Sequence, residues 1–178
     1  MQVRIARLAC VIGLSMLVAA CATPPTTGAM RASVPSGTIP TAPGTVTVKV
    51  TGGQPTSELE GASLADADLK AATEATLLHA NAFQRVSDDL GARYVLSATI
   101  VRVPHPWIGL TFTFEVDIGW SLLDRAQDKV LLRKGITTSG TATMSDAIGG
   151  STRGRMALEA AARANLEQLL RELAKVSY

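Results

Sequence analysis

The stretch LTFTFEVDIGWSLLD, from Leu110 to Asp124, constrains the fold more than any other part of the chain. Leu110, Phe112, Phe114, Val116, Ile118, Trp120 and Leu122 alternate with Thr111, Thr113, Glu115, Asp117, Gly119 and Ser121. A period of two sends successive side chains to opposite faces of a strand, whereas a helix would scatter these apolar groups around its circumference. The segment is therefore predicted to be a long strand with one buried and one wet face. Antiparallel sheets tolerate a wet face, and parallel α/β sheets normally do not.

Shorter segments agree with a sheet of this kind. TVTVKV sets Val46, Val48 and Val50 against Thr45, Thr47 and Lys49. RYVLSATIVRV puts Tyr94, Leu96, Ala98 and Ile100 on one side, and KVLLRKGITTSG does the same with Val130, Leu132 and Ile136. Between the first two strands, Ser63 and Asp66 have the spacing of a capping box for a helix carrying Leu69, Ala72, Ala75, Leu78 and Ala82. Phe83 to Val86 either continues that helix or turns back as a short extended piece. GTATMSDAIGGSTRG lacks periodicity and reads as a loop. The last element repeats Leu158, Ala162, Leu166, Leu169, Leu173 and Val176 at helical spacing. The order β-α-β-β-β-α predicts an α+β two-layer sandwich: a largely antiparallel four-stranded sheet with two helices on one face.

The amino terminus has a different character. Arg4 and Arg7 precede a short apolar run that ends in MLVAACAT, with Cys21 followed at once by prolines. A basic start, an apolar centre and small residues at the end make a secretory signal, and as a membrane span the run is marginal. Residues 1–20 are read as the signal peptide, 21–44 as an anchoring cysteine with a flexible tether rich in Pro, Thr, Ser and Gly, and 45–178 as one domain. Loss of Arg4 and Arg7 with the leader cancels the formal charge of +2, so the basicity is no sign of a nucleic-acid partner. Cys10 leaves with the leader as well, and no Cys-based metal site or disulfide is expected in the domain.

Val18, Ala19, Ala20 and Cys21 resemble the lipobox of bacterial lipoproteins. The resemblance implies cleavage before Cys21, acylation of its thiol and new amino group, and, with Ala22 next, sorting to the outer membrane with the domain facing the periplasm. Together with the tether and the element order, the chain resembles the partner lipoprotein of the lipopolysaccharide-assembly translocon and the auxiliary lipoproteins of envelope lipid-transport systems. Those families imply a non-enzymatic part bound to a larger envelope machine through a protein partner, in some cases touching lipid or lipopolysaccharide.

A search for chemistry returns little. His79 and His105 lack metal-ligand spacing, and no cofactor or metal is expected. Glu115 and Asp117 share one face of a strand without a cleft to raise either pKa, and a solvated sheet face accounts for them. GGSTRG precedes a helix but lacks the lysine and hydroxyl of a phosphate loop. No residue is assigned a catalytic role and the chain is not expected to be an enzyme. One segment stands out, VPHPWIGL: Pro104 and Pro106 stiffen a connection that carries His105, Trp107 and Ile108 where polar residues are usual. Trp107 there either caps the core or contacts a partner or the membrane. Arg102, Arg153 and Arg155 are candidate contacts for anionic lipid.

Overall fold

The computed structural model describes residues 23–33, 39–57, 61–103 and 110–178. Helix α1 (Thr27–Met30) is followed by β1 (Ala42–Thr51), α2 (Asp66–His79), β2 (Phe83–Val86), β3 (Tyr94–Arg102), β4 (Phe112–Asp124), β5 (Lys129–Ala142) and α3 (Gly150–Leu173). The strands form one sheet in the order β2-β1-β3-β4-β5. The class is α+β, as the element pattern predicts, but among the described residues the sheet is mixed and five-stranded and three helices are present.

The extra strand arises where the sequence left two readings open. Phe83 to Val86 turns back as a strand, because α2 returns the chain to the end of the sheet where β1 began. A strand entering from there lies parallel to β1, with Ala42 opposite Phe83 and Val46 opposite Val86. The 87–93 connection then takes the chain to the other side of β1, and β3 also runs parallel to it, Val46 facing Tyr94. Only β3–β4 and β4–β5 are antiparallel. Alternation along a strand reports its faces and not the direction of its neighbours, so the expectation of a largely antiparallel sheet overreached.

The long alternating segment sits where its pattern requires. Phe114, Val116, Ile118, Trp120 and Leu122 are buried on the helix-covered side and share one core with Val46, Val48, Leu96, Leu69, Leu77, Leu158, Leu166 and Leu169. Leu110 does not join them: it lies two residues before β4 begins and is 71% exposed. Helix α2 starts at Asp66 without a side-chain cap from its N-cap residue, Ala65. Instead of closing a capping box, the Asp66 carboxylate accepts from Gly53 N at 2.6 Å, and Ser63 exchanges hydrogen bonds with Thr56.

Helix α3 approaches β5 very closely. A Cβ on Gly140 would lie 2.3 Å from the Ala157 carbonyl oxygen and 2.4 Å from Ala161 N. Ala157 and Ala161 supply the matching small surface, and Thr138 Oγ1 donates to the Ala161 carbonyl at 2.9 Å. Beside this seam lies buried Asn165. Its Oδ1 accepts from Trp120 Nε1 at 2.9 Å and its Nδ2 donates to the Ile136 carbonyl at 2.8 Å. A polar residue on the apolar stripe, three after Ala162 and four before Leu169, thus satisfies the indole that the core would otherwise strand.

Composition reads 21–44 as a tether, yet part of it is packed. Met30, Ala32 and Ile39 are buried, and α1 rests against both α2 and α3.

Candidate functional site

The amino-terminal segment is fastened to the helical layer at three points. Glu159 on α3, itself buried, accepts from Thr26 N at 2.9 Å and from Thr26 Oγ1 at 3.2 Å. Arg155, one turn earlier, donates to the same oxygen at 2.7 Å, so the carboxylate is held in place by a cation and by the segment. Further on, Arg163 Nε donates to the Ala29 carbonyl at 2.9 Å, and Ala32 N donates to Thr76 Oγ1 at 3.1 Å. The segment therefore runs along α3 toward that helix's carboxyl end and the close of α2.

Upstream of Thr26 the direction points to the opposite end of the sheet. There β4 begins and β5 stops, with Phe112 opposite Ala142. The 143–149 loop connects to α3 and is built from its own polar groups. Asp146 accepts from Thr143 N at 2.7 Å and from Thr143 Oγ1 at 2.9 Å. The Thr143 N–H, then its hydroxyl, holds the Asp146 carboxyl below its ordinary range. From the inner side Arg153 donates to the carbonyls of Ala147 and Ile148, and its guanidinium lies 5.3 Å from the centre of the Phe112 ring. This scaffold leaves the side chains of Met144 and Ile148 facing outward, 49% and 88% exposed.

The residues proposed from sequence are spread over different surroundings. Cys21 and the residues Pro104, His105, Pro106, Trp107 and Ile108 lie outside the described residues. Arg102 is exposed on β3 and pairs with Glu115 across the wet face at 2.9 Å. Arg153 is buried as a clamp of the 143–149 loop, and Arg155 is bound to Glu159. The structure thus gives each arginine its own internal partner and gathers no three-arginine patch. Glu115 and Asp117 do not work as a pair either, since Asp117 accepts from Thr137 at 3.2 Å. His79 is on the exposed surface of α2. Sequence reasoning missed Glu159 and Asn165, and their signal was a polar side chain on a core-facing stripe of α3.

Among the described residues, clefts open to solvent include two. One of about 200 Å³ lies between Gly52, Ser63, Leu64, Ile100 and Arg102, and one of about 290 Å³ between Lys129, Val130, Glu172, Lys175 and Val176. Both fall below the range of about 300 to 1,000 Å³ usual for small-molecule sites. Among the described residues no group of three or more His, Cys, Asp or Glu could hold a metal ion, and no helix is long and apolar enough to cross a membrane.

No family model and no curated protein matches the sequence. Solved structures do share the fold. A Xanthomonas campestris protein of the DUF330 family is 16% identical with a TM-score of 0.60, over 83% of this chain and 91% of that one. A hypothetical protein from Chlamydia trachomatis is 12% identical with a TM-score of 0.52, over 74% and 98%. The PelC dodecamer from Paraburkholderia phytofirmans is 21% identical with a TM-score of 0.50, over 79% and 96%. At such identities the likeness is one of fold: this chain has the α+β architecture of these bacterial proteins.

Proposed function

We propose that the protein is an envelope lipoprotein, anchored through acylated Cys21 in the outer membrane, whose periplasmic domain is a non-enzymatic accessory or binding subunit of an envelope complex. The observation that carries this reading is VAAC behind the Arg4 and Arg7 apolar leader. Several acyl chains on one cysteine, at about 0.8 kcal/mol per buried methylene, make release from a bilayer negligible. A binding role accords with a helix–sheet interface filled by side chains and with carboxylates that are engaged structurally, Glu159 by Thr26 and Asp124 by Arg93.

Intact mass of the membrane-extracted protein tests the anchor. The expected species begins at Cys21 and carries acyl chains, and Cys21→Ala accumulates as uncleaved precursor. A product that begins elsewhere with a free Cys21 thiol would overturn the reading. Cross-linking of the lipidated protein in membranes tests the accessory role, which predicts a stoichiometric envelope protein among the products; recovery of the chain alone would refute it.

A further inference from the structure

We propose that the end of the sheet presenting Leu110, Met144 and Ile148 sits in the lipid surface beside Cys21, so that the domain is docked on its membrane in one orientation. The inference rests on the anchor reading above and adds to it the surface that the bilayer covers.

The first support is the length of the leash. Among the described residues, hydrogen bonding of this segment to the body begins at Thr26, five residues after Cys21, and five residues span at most about 17 Å. A tether free through residue 44 would have allowed several times that reach. The second is direction. Thr26 lies at Glu159, Ala29 at Arg163 and Ala32 at Thr76, so the chain leading back to Cys21 heads for the amino end of α3. From Glu159 to Gly150 the helix rises only about 14 Å, within the reach of the leash. The lipid and the 143–149 loop therefore belong to the same end of the molecule.

The third support is the chemistry of that end. The ladder closes with Phe112 opposite Ala142, which places Leu110 and Met144 each two residues beyond it, on the chain segments that extend the two strands. Ile148 is two residues from Gly150, whose position adjoins the Phe112 ring. Across 110–114 and 140–152 the only charged side chain is Asp146, and its carboxylate is turned onto Thr143. Apolar side chains held outward on a loop clamped by Arg153 suit the boundary between headgroups and acyl chains. A bilayer is the chosen occupant because the anchor brings one to this end.

The test uses the mature lipidated protein, in which acylated Cys21 leaves no free thiol. Ile148→Cys, Met144→Cys and, at the other end of the sheet, Leu90→Cys are each labelled with an environment-sensitive dye. Each protein is reconstituted into phosphatidylethanolamine–phosphatidylglycerol vesicles whose acyl chains carry a nitroxide. Emission from positions 144 and 148 should fall by about half or more, as for groups at the headgroup–acyl boundary, while position 90 keeps its intensity. Equal and slight quenching at all three positions, with intact mass showing acylated Cys21, would overturn the docking and leave the anchor standing. The same follows if positions 144 and 148 are shielded only when membrane proteins are added, which would assign the patch to a protein partner. An unacylated Cys21 in the mass spectrum would instead refute the anchor reading and the docking with it.

Discussion

The two ends of the sheet are made from the same strands and treat water in opposite ways. At one end lie the 87–93 and 124–129 turns, where Asp88, Asp89, Arg93, Asp124, Arg125, Asp128 and Lys129 crowd together. Three of these charges are engaged within the fold. Arg93 reaches Asp124 at 2.7 Å and stacks 4.8 Å over the Tyr94 ring, and Arg125 donates to the Leu90 carbonyl. Beneath them Phe83, Tyr94 and Tyr178 form a three-ring cluster with centroids 5.5 to 5.9 Å apart. At the other end the exposed Arg102–Glu115 pair lies on the wet face, the 110–114 and 140–152 segments carry Asp146 as their single charge outside that pair and the clamping Arg153, and Leu110, Met144 and Ile148 are exposed. Leu78, Leu90 and Val130 are exposed at the charged end as well, but they are scattered singly over three different segments, which is ordinary for a protein surface. The difference teaches that the fold needs only one of its ends to be apolar inside. The other is free to be apolar outside.

The largest expected effect falls at the charged end. Tyr94 is fully buried against Phe83 and Tyr178, so Tyr94→Ala should cost about 3 to 5 kcal/mol through lost transfer energy and a cavity. Urea melts of the variant measure it. A loss below about 1 kcal/mol would mean that the ring cluster is not what closes this end.

Gly140 comes next and probes how the helix reaches the apolar end. A methyl group there would overlap the Ala157 carbonyl and the backbone at Ala161, neither of which is a flexible side-chain tip. Gly140→Ala should therefore cost about 1 to 3 kcal/mol by overpacking. The Thr138 hydroxyl should lose its bond to the Ala161 carbonyl at the same time. An unchanged melt would show that α3 can lift from β5 without penalty.

How far the sequence carried these features depended on whether one residue or several encode them. The β4 faces were readable because many alternating positions say the same thing, and α3 was readable from its repeating leucines. Strand β2 was ambiguous because four residues, FQRV, fit a helix end or a strand, and only the length of α2 decides where the chain re-enters the sheet. The docking of Thr26 to Glu159 could not be seen, since the partners are separated by more than a hundred positions and a polar residue on a core-facing stripe does not name its partner. Leu110 shows the reverse failure. Its place in the alternation is correct, but alternation does not tell where the covering helix ends.

A pH series probes the chemistry of the charged end. The Tyr178 phenol is pushed up to about 12, first by burial and then by the neighbouring Tyr94, from an ordinary value of 10.0. A raised folded value means that the fold favours the protonated phenol. The stabilising effect is whole below about pH 10 and is lost as pH climbs toward 12. Tyr178→Phe should remove that part of the alkaline loss, up to about 1 kcal/mol given the ring's partial exposure and solvent screening. On the acid side Asp124 behaves oppositely. The Arg93 hydrogen bond lowers its carboxyl, so its contribution is present above the ordinary carboxylate range and disappears as pH falls through the lowered value. Denaturation curves at pH 10 and pH 12 for wild type and Tyr178→Phe are the check, and parallel losses in both would refute the assignment.

The smallest expected effect on stability is at the apolar end, and its smallness sharpens the contrast most. Ile148 keeps 88% of its surface in water, so Ile148→Ser removes almost no burial. The loop is held through groups that the substitution leaves in place: Asp146 on Thr143, and Arg153 on the backbone carbonyls of residues 147 and 148. Thermal and urea melts of Ile148→Ser should match wild type within about 0.5 kcal/mol, the usual range for a surface change. A match would mean that Ile148, on a loop held by buried Arg153, acts outside the fold. A loss above about 1 kcal/mol would show that Ile148 folds onto the core in solution, and the two ends would then be alike in hiding their apolar surface.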